Sequence, residues 1–207
     1  MPQVIQIEGL EVVDGAALVS QKEGKYTAAV RRGRVFHQTT TPLGLAIPIY
    51  TGTGIPGCVV WNVPSSGVKV VPLSYAATRA SGTAAFAAIG MMARQDMGTD
   101  LATGSEITAF AQTTPINAQI GAGQASKVRS SNAGTITITA GVAGEFIHTI
   151  AGMNLEADTS TAHQSQPIVY DFDGKLEIFP GTLIWFAATR ASVALFAQTF
   201  MWEEVLI

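Results

Sequence analysis

Residues 171–188 run DFDGKLEIFPGTLIWFAA: a turn, an alternating segment, a second turn and an apolar run. Asp171-Phe172-Asp173-Gly174 carries the Asp-Gly chemistry of a tight turn, because both residue types tolerate positive φ. Lys175-Leu176-Glu177-Ile178-Phe179 then alternates polar and apolar side chains, the period of a strand with one buried face. Pro180-Gly181 interrupts it. Thr182 to Ala188 resumes as a run rich in residues that favour strands, and a final strand is predicted from about Val193 to Val205.

The same grammar extends towards the N-terminus. Thr135-Ile136-Thr137-Ile138-Thr139 alternates cleanly, with Ile136 and Ile138 predicted inward. Glu106 to Ala111, Glu145 to Ala151 and Ile168 to Tyr170 are further strand candidates. Loops rich in Gly, Thr, Ser or Asn are expected over 96–105, 121–132 (with Lys127 and Arg129 at its exposed end) and 154–166. Phe36 to Val68 contains no Asp, Glu, Lys or Arg but carries Pro42, Pro48, Pro56 and Pro64, which excludes helix there. Leu45 to Tyr50 and Cys58 to Val63 read as short strands between turns. In the next strand Val68, Val70, Leu73 and Tyr75 are expected to share one face.

Ala84 to Ala93 has a helix-compatible composition, yet an internal echo favours strand. Ala76-Ala77-Thr78-Arg79-Ala80-Ser81 recurs as Ala187-Ala188-Thr189-Arg190-Ala191-Ser192, each copy between β-like runs, and two like hairpins at related places would explain it. Roughly nine or ten strands with little or no helix make an all-β, antiparallel β-sandwich of jelly-roll type. Residues 1–34 read as an N-terminal arm or edge strand, and residues 35–207 as a single jelly-roll domain.

Charged residues make up 13% of the 207-residue chain, about half the roughly 25% usual for soluble domains. So much uncharged surface predicts that part of it is covered by copies of the chain or by a partner. The net charge of −3 offers no broad basic field for nucleic acid. Between Lys22 and Arg34, however, five cations face Glu23 alone. This patch reads as a solvated edge or as an arm that docks on an acidic neighbouring surface, with Lys25, Arg31, Arg32 and Arg34 as the contact residues. No export signal and no membrane-spanning apolar run is read from the sequence.

Catalytic motifs are not found. No Gly-x-Ser-x-Gly elbow is present, and His37, His148 and His163 lack the spacing that presents two imidazoles to one metal. Gly52-Thr53-Gly54-Ile55-Pro56-Gly57 only partly imitates a phosphate loop and is broken by Pro56. Asp171 and Asp173 could begin a calcium loop, but Lys175, Leu176 and Ile178 stand where ligands should follow. Asp96 and Asp100 are a weak carboxylate pair. Cys58 reads as a small buried apolar residue. Trp61, Trp185 and Trp202 sit in apolar strand contexts and are expected in the core, with a sugar platform as the alternative. The chain is expected to be no enzyme and to need no cofactor or metal.

The short-strand pattern across nearly the whole chain, with Asp171-Phe172-Asp173-Gly174, Leu176-Glu177-Ile178-Phe179-Pro180-Gly181-Thr182 and Phe200-Met201-Trp202-Glu203-Glu204 near its end, resembles the small jelly-roll structural proteins of tailed phages, particularly capsid decoration or cement proteins. That resemblance implies a homotrimer at local three-fold positions on the major capsid protein lattice, made in the host cytoplasm and carried on the virion surface. Alternatives with the same fold are a lectin-like module of a tail or fibre, binding sugars in loops such as 154–166, and a single-jelly-roll capsid subunit.

Overall fold

The computed structural model describes residues 5–7, 10–13, 16–18, 25–51, 54–55, 57–82, 87–95, 107–109, 112–121, 123–132, 136–138, 144–153, 167–190 and 194–207. Three short strands come first: β1 (Ile5–Ile7), β2 (Leu10–Val13) and β3 (Ala16–Leu18), which among the described residues pair with one another alone. The expected arm therefore contains a small sheet of its own. A five-residue helix, α1 (Thr27–Arg31), precedes β4 (Val35–Thr39), β5 (Leu45–Ala46), β6 (Gly54–Ile55), β7 (Val59–Asn62) and β8 (Val68–Ser81). There follow β9 (Ala87–Arg94), β10 (Ile107–Ala109), β11 (Ile116–Asn117), β12 (Arg129–Ser131) and β13 (Ile136–Ile138). The chain ends with β14 (Glu145–Met153), β15 (Ile168–Asp171), β16 (Thr182–Ala188) and β17 (Leu195–Leu206).

These strands form an all-β sandwich. The front sheet has the order β11-β4-β17-β8-β15, with β5 also pairing to β17, and the back sheet has the order β12-β7-β16-β9-β14. Every strand pair is antiparallel. Four pairs nest along the chain: β4 with β17, β7 with β16, β8 with β15 and β9 with β14. The first of these strands meets the last, the second the next to last, and so inward.

Alternation supplies the core. Phe200 and Trp202 of β17, Tyr75 of β8 and Phe36 of β4 face Phe186 of β16 and Met91 of β9 in one buried cluster. Tyr75 stacks on Phe186 with ring centroids 3.9 Å apart, and Phe186 meets Phe200 edge-on at 5.0 Å. Each such apolar side chain removed from water stabilises the fold by roughly 1.5–3 kcal/mol. The register between β17 and β8 shifts between Met201 and Trp202, opposite Pro72 to Ser74. This bulge changes the parity of β8, so Val68 and Val70 share the core with Tyr75 although an odd number of residues separates them.

A third layer covers the back sheet. β10, β13 and β6 pair in that order, and Ile136 and Ile55 bury themselves against Trp61, Met92, Leu183 and Trp185 in a second core. β16 is consequently buried along its whole length, on both faces. The segment between β9 and β14 thus lends two strands to this third layer and one to an edge of each main sheet.

Several expectations change. Lys175 to Phe179 forms no extended strand: Ile178 alone bridges to Val70, because the chain is passing from the front sheet to the back one. Leu45 to Tyr50 contributes just two strand residues, and the segment read as a loop over 121–132 ends in β12. The two Ala-Ala-Thr-Arg copies close no hairpins. They end β8 and β16, beside the starts of β17 and β9, and lead into two connections that cross between the sheets in opposite directions. Ala87 to Arg94 is strand, as the echo suggested.

Candidate interaction surfaces

The basic segment lies against its own chain. Lys25 Nζ is 3.0 Å from Asp171 Oδ2 and also contacts Asp173, while the Tyr26 hydroxyl donates to Asp171 Oδ1 at 2.6 Å. The same Oδ1 accepts the backbone N–H of Asp173 at 3.0 Å, within the turn where Asp173 and Gly174 both hold positive φ. The Tyr26 hydroxyl, followed by the Lys25 ammonium, therefore holds the Asp171 carboxyl below its ordinary range. The hydrogen bond to Asp171 raises the Lys25 pKa in turn. At the far end of the segment Arg34 pairs with Glu203 of β17 at 2.8 Å. α1 between these anchors has no buried residue and no side-chain cap, so the segment is held as a strap by polar contacts at both ends.

Of the four cations expected to meet a neighbour, Lys25 and Arg34 thus pair with carboxylates of their own chain. Arg31 and Arg32 also make interactions within the chain. The sequence signal was a run of cations; their partners lie at positions 171, 173 and 203, out of reach of any local pattern.

Beyond the strap, the outer face of the front sheet is built from small uncharged residues. Residues directly paired across antiparallel strands share a face. One row runs Thr39, Thr199, Ala76 and Val169, from β4 across β17 and β8 to β15. The Thr39 and Thr199 hydroxyls are 3.1 Å apart, and Val169 is 71% exposed. The neighbouring row runs Ile116, His37, Met201, Ser74 and Asp171, with Ile116 55% exposed. Ala197 opposite Thr78 forms a third. Asp171, already engaged by the strap, is the one charge in these rows. Burial lowers the His37 pKa, disfavouring the charged imidazolium on this face.

The interior holds a polar cluster with a structural role. Gln198 accepts from the Tyr75 hydroxyl at 3.1 Å, Thr40 caps the Gln198 N–H at 2.8 Å, and Gln38 reaches Thr113. Cys58 sits buried among them, its thiol pushed up to about 12 by burial, which makes it a poor nucleophile. Glu204, 5% exposed, accepts from Ser126 Oγ, from Lys127 N–H at 2.8 Å and from Trp202 Nε1 at 3.3 Å. These donors satisfy the buried carboxylate and tie residues 126–127 to the central strand of the front sheet.

The chemistry-bearing residues singled out from the sequence are dispersed. His37 lies on β4, and His148 lies on β14 beside the Tyr170 hydroxyl. His163, Asp96, Asp100 and the loop over 154–166 lie outside the described residues. Among the described residues no three His, Cys, Asp or Glu side chains group as metal ligands. Trp61, Trp185 and Trp202 are all buried, so none offers a ring face to a sugar. No helix among the described residues is long and apolar enough to cross a membrane. No family model, no curated protein and no solved structure matches the chain.

Proposed function

We propose that this chain is a non-catalytic structural subunit of jelly-roll type that self-associates and serves as a decoration subunit on a phage capsid, bridging major capsid proteins. The observation that carries the self-association is the composition of the front sheet's outer face: a four-strand-wide surface of Thr, Ala, Ser, Val, Met and His37 whose charges, at Asp171, Glu203 and Lys69, are paired within the chain. Such a surface gains little from water and loses little when covered. The nested pairing of β4 with β17 through β9 with β14 supports the jelly-roll reading, since two wrapped Greek keys require that order. The capsid role rests on the resemblance of the strand grammar and the closing segment to decoration proteins.

Light scattering gives the mass in solution, and electron microscopy of capsids mixed with the protein tests decoration. A mass near three times 21.6 kDa, with added density on the shell, is the expected result. A monomer that leaves capsids bare overturns the reading. The strap refines this test. A capsid that binds through Lys25 and Arg34 must displace their carboxylate partners, so removing residues 1–34 separates strap-mediated docking from docking by the sandwich itself.

A further inference from the structure

We propose that the outer face of the front sheet is the surface through which a second copy of this chain docks, sheet face against sheet face and centred on Thr199. The inference rests on the self-association reading above but gives it two-fold geometry, since a face that meets itself joins chains in pairs and predicts a mass near twice 21.6 kDa rather than three times.

Charge supplies the first argument. In an isologous contact each patch meets itself, so any uncompensated charge in it meets its own sign. The rows through Thr199 and Met201 bring no such charge, because Asp171 at their margin, with Asp173 beside it, is offset by Lys25 and the nearby Lys175. The other ion pairs of this face also close within one chain at its lower end, Arg34 to Glu203 and Lys69 to Glu177. Two copies can therefore meet here without repulsion.

Shape supplies the second. β17 is the middle strand of the sheet, and Thr199 is an interior member of its outward-facing set. Its neighbours Ala76, Ala197 and Thr39 are short, which suits two sheets packing about 10 Å apart. The large exposed apolar side chains Ile116 and Val169 stand at opposite margins, on the edge strands β11 and β15. With strands about 4.8 Å apart and about 3.4 Å per residue, the strand residues beside Leu195 to Met201 cover about 400 Å². Two copies would bury about 800 Å² in all, the size of a weak, reversible contact. The opposite face of the sandwich cannot serve in the same way, because β6 and β13 already cover it.

Paired charge variants test the proposal. Thr199→Glu and Thr199→Lys are each measured by light scattering, then mixed in equal amounts, with tryptophan fluorescence reporting that the core is intact. The expected result is that each variant alone associates at least a hundredfold more weakly than the wild type, and that the mixture regains the wild-type mass. If either variant alone keeps the wild-type mass, or the mixture stays dissociated, this face does not join two copies. Wild-type mass combined with lost capsid decoration assigns the face to the capsid instead and overturns the proposal. A monomeric wild type defeats the self-association reading itself and this assignment with it, whereas a closed trimer, which a self-meeting face cannot build, or an oligomer indifferent to Thr199 defeats this assignment alone.

Discussion

The two outer faces of the sandwich meet water in opposite ways. The back sheet turns Leu183, Trp185 and Ala187 outward and must cover them, which the third layer does with Ile55 and Ile136. The front sheet turns Thr199, Ala197 and Ala76 outward and needs no cover of its own, apart from a short strap held by surface charges. Large apolar side chains oblige a chain to fold over them, whereas small neutral ones leave a face equally ready for water or for a partner. One face is committed to the fold, and the other is available to an assembly.

The contrast can be broken most forcefully at Trp185. Trp185→Ala empties the second core and is expected to cost about 3–5 kcal/mol, read as a fall in the denaturant midpoint. Thr199→Ala, the matching change on the front face, is expected to stay within about 0.5 kcal/mol for the isolated chain. Comparable losses at both positions would show that the front face is also structural.

A second change cuts the tie between the long β9–β14 segment and the front sheet. Glu204→Ala leaves the donors of Ser126, Lys127 and Trp202 without their acceptor. A loss of about 2–3 kcal/mol is expected, with faster hydrogen exchange over 126–131. Unchanged exchange there would mean that the edge pairing of β12 with β7 holds the segment unaided.

Gly144→Ala probes the back face more gently. A Cβ at this position would stand 2.1 Å from the Trp185 ring and 3.1 Å from the Ala93 carbonyl oxygen. The indole has to shift within a packed layer, at an expected cost of about 1–3 kcal/mol. A neutral result would mark the second core as loosely packed.

The smallest effect belongs to the strap. Asp171→Asn removes an exposed ion pair, worth at most about 1 kcal/mol, so the unfolding midpoint should hardly move while exchange over 25–34 quickens. Acid should act in the same direction. Because the folded Asp171 pKa is depressed, its contribution is present above the ordinary carboxylate value near ~3.9 and disappears as pH falls through the lower folded value. Protection over 25–34, taken relative to the intrinsic exchange rate at each pH, that does not fall down to about pH 2 would show that Asp171 does not hold the strap.

The sequence made the sandwich legible wherever strand chemistry is local. Thr182 to Ala188, the run ending in Val205 and the Ile136 alternation all became strands near their expected bounds. The turn at Asp173-Gly174 was equally plain, since positive φ selects those residue types. Lys175 to Phe179 misled because alternation reports which side chains are buried, and a segment crossing between two sheets also buries every second one.

The sequence by itself determined that the chain would be β throughout, that the three tryptophans would be interior, and that charge would be scarce on the surface. Composition and period settle these, and both belong to neighbouring residues. Tertiary structure alone decided which face of β16 needed a second layer, that Lys25 and Arg34 would spend their charge on Asp171, Asp173 and Glu203, and that Thr39, Thr199, Ala76 and Val169 would lie in one row. Those partners are separated by up to 169 positions, from Arg34 to Glu203, and strand register, a global property of the folded sheet, is what brings them together.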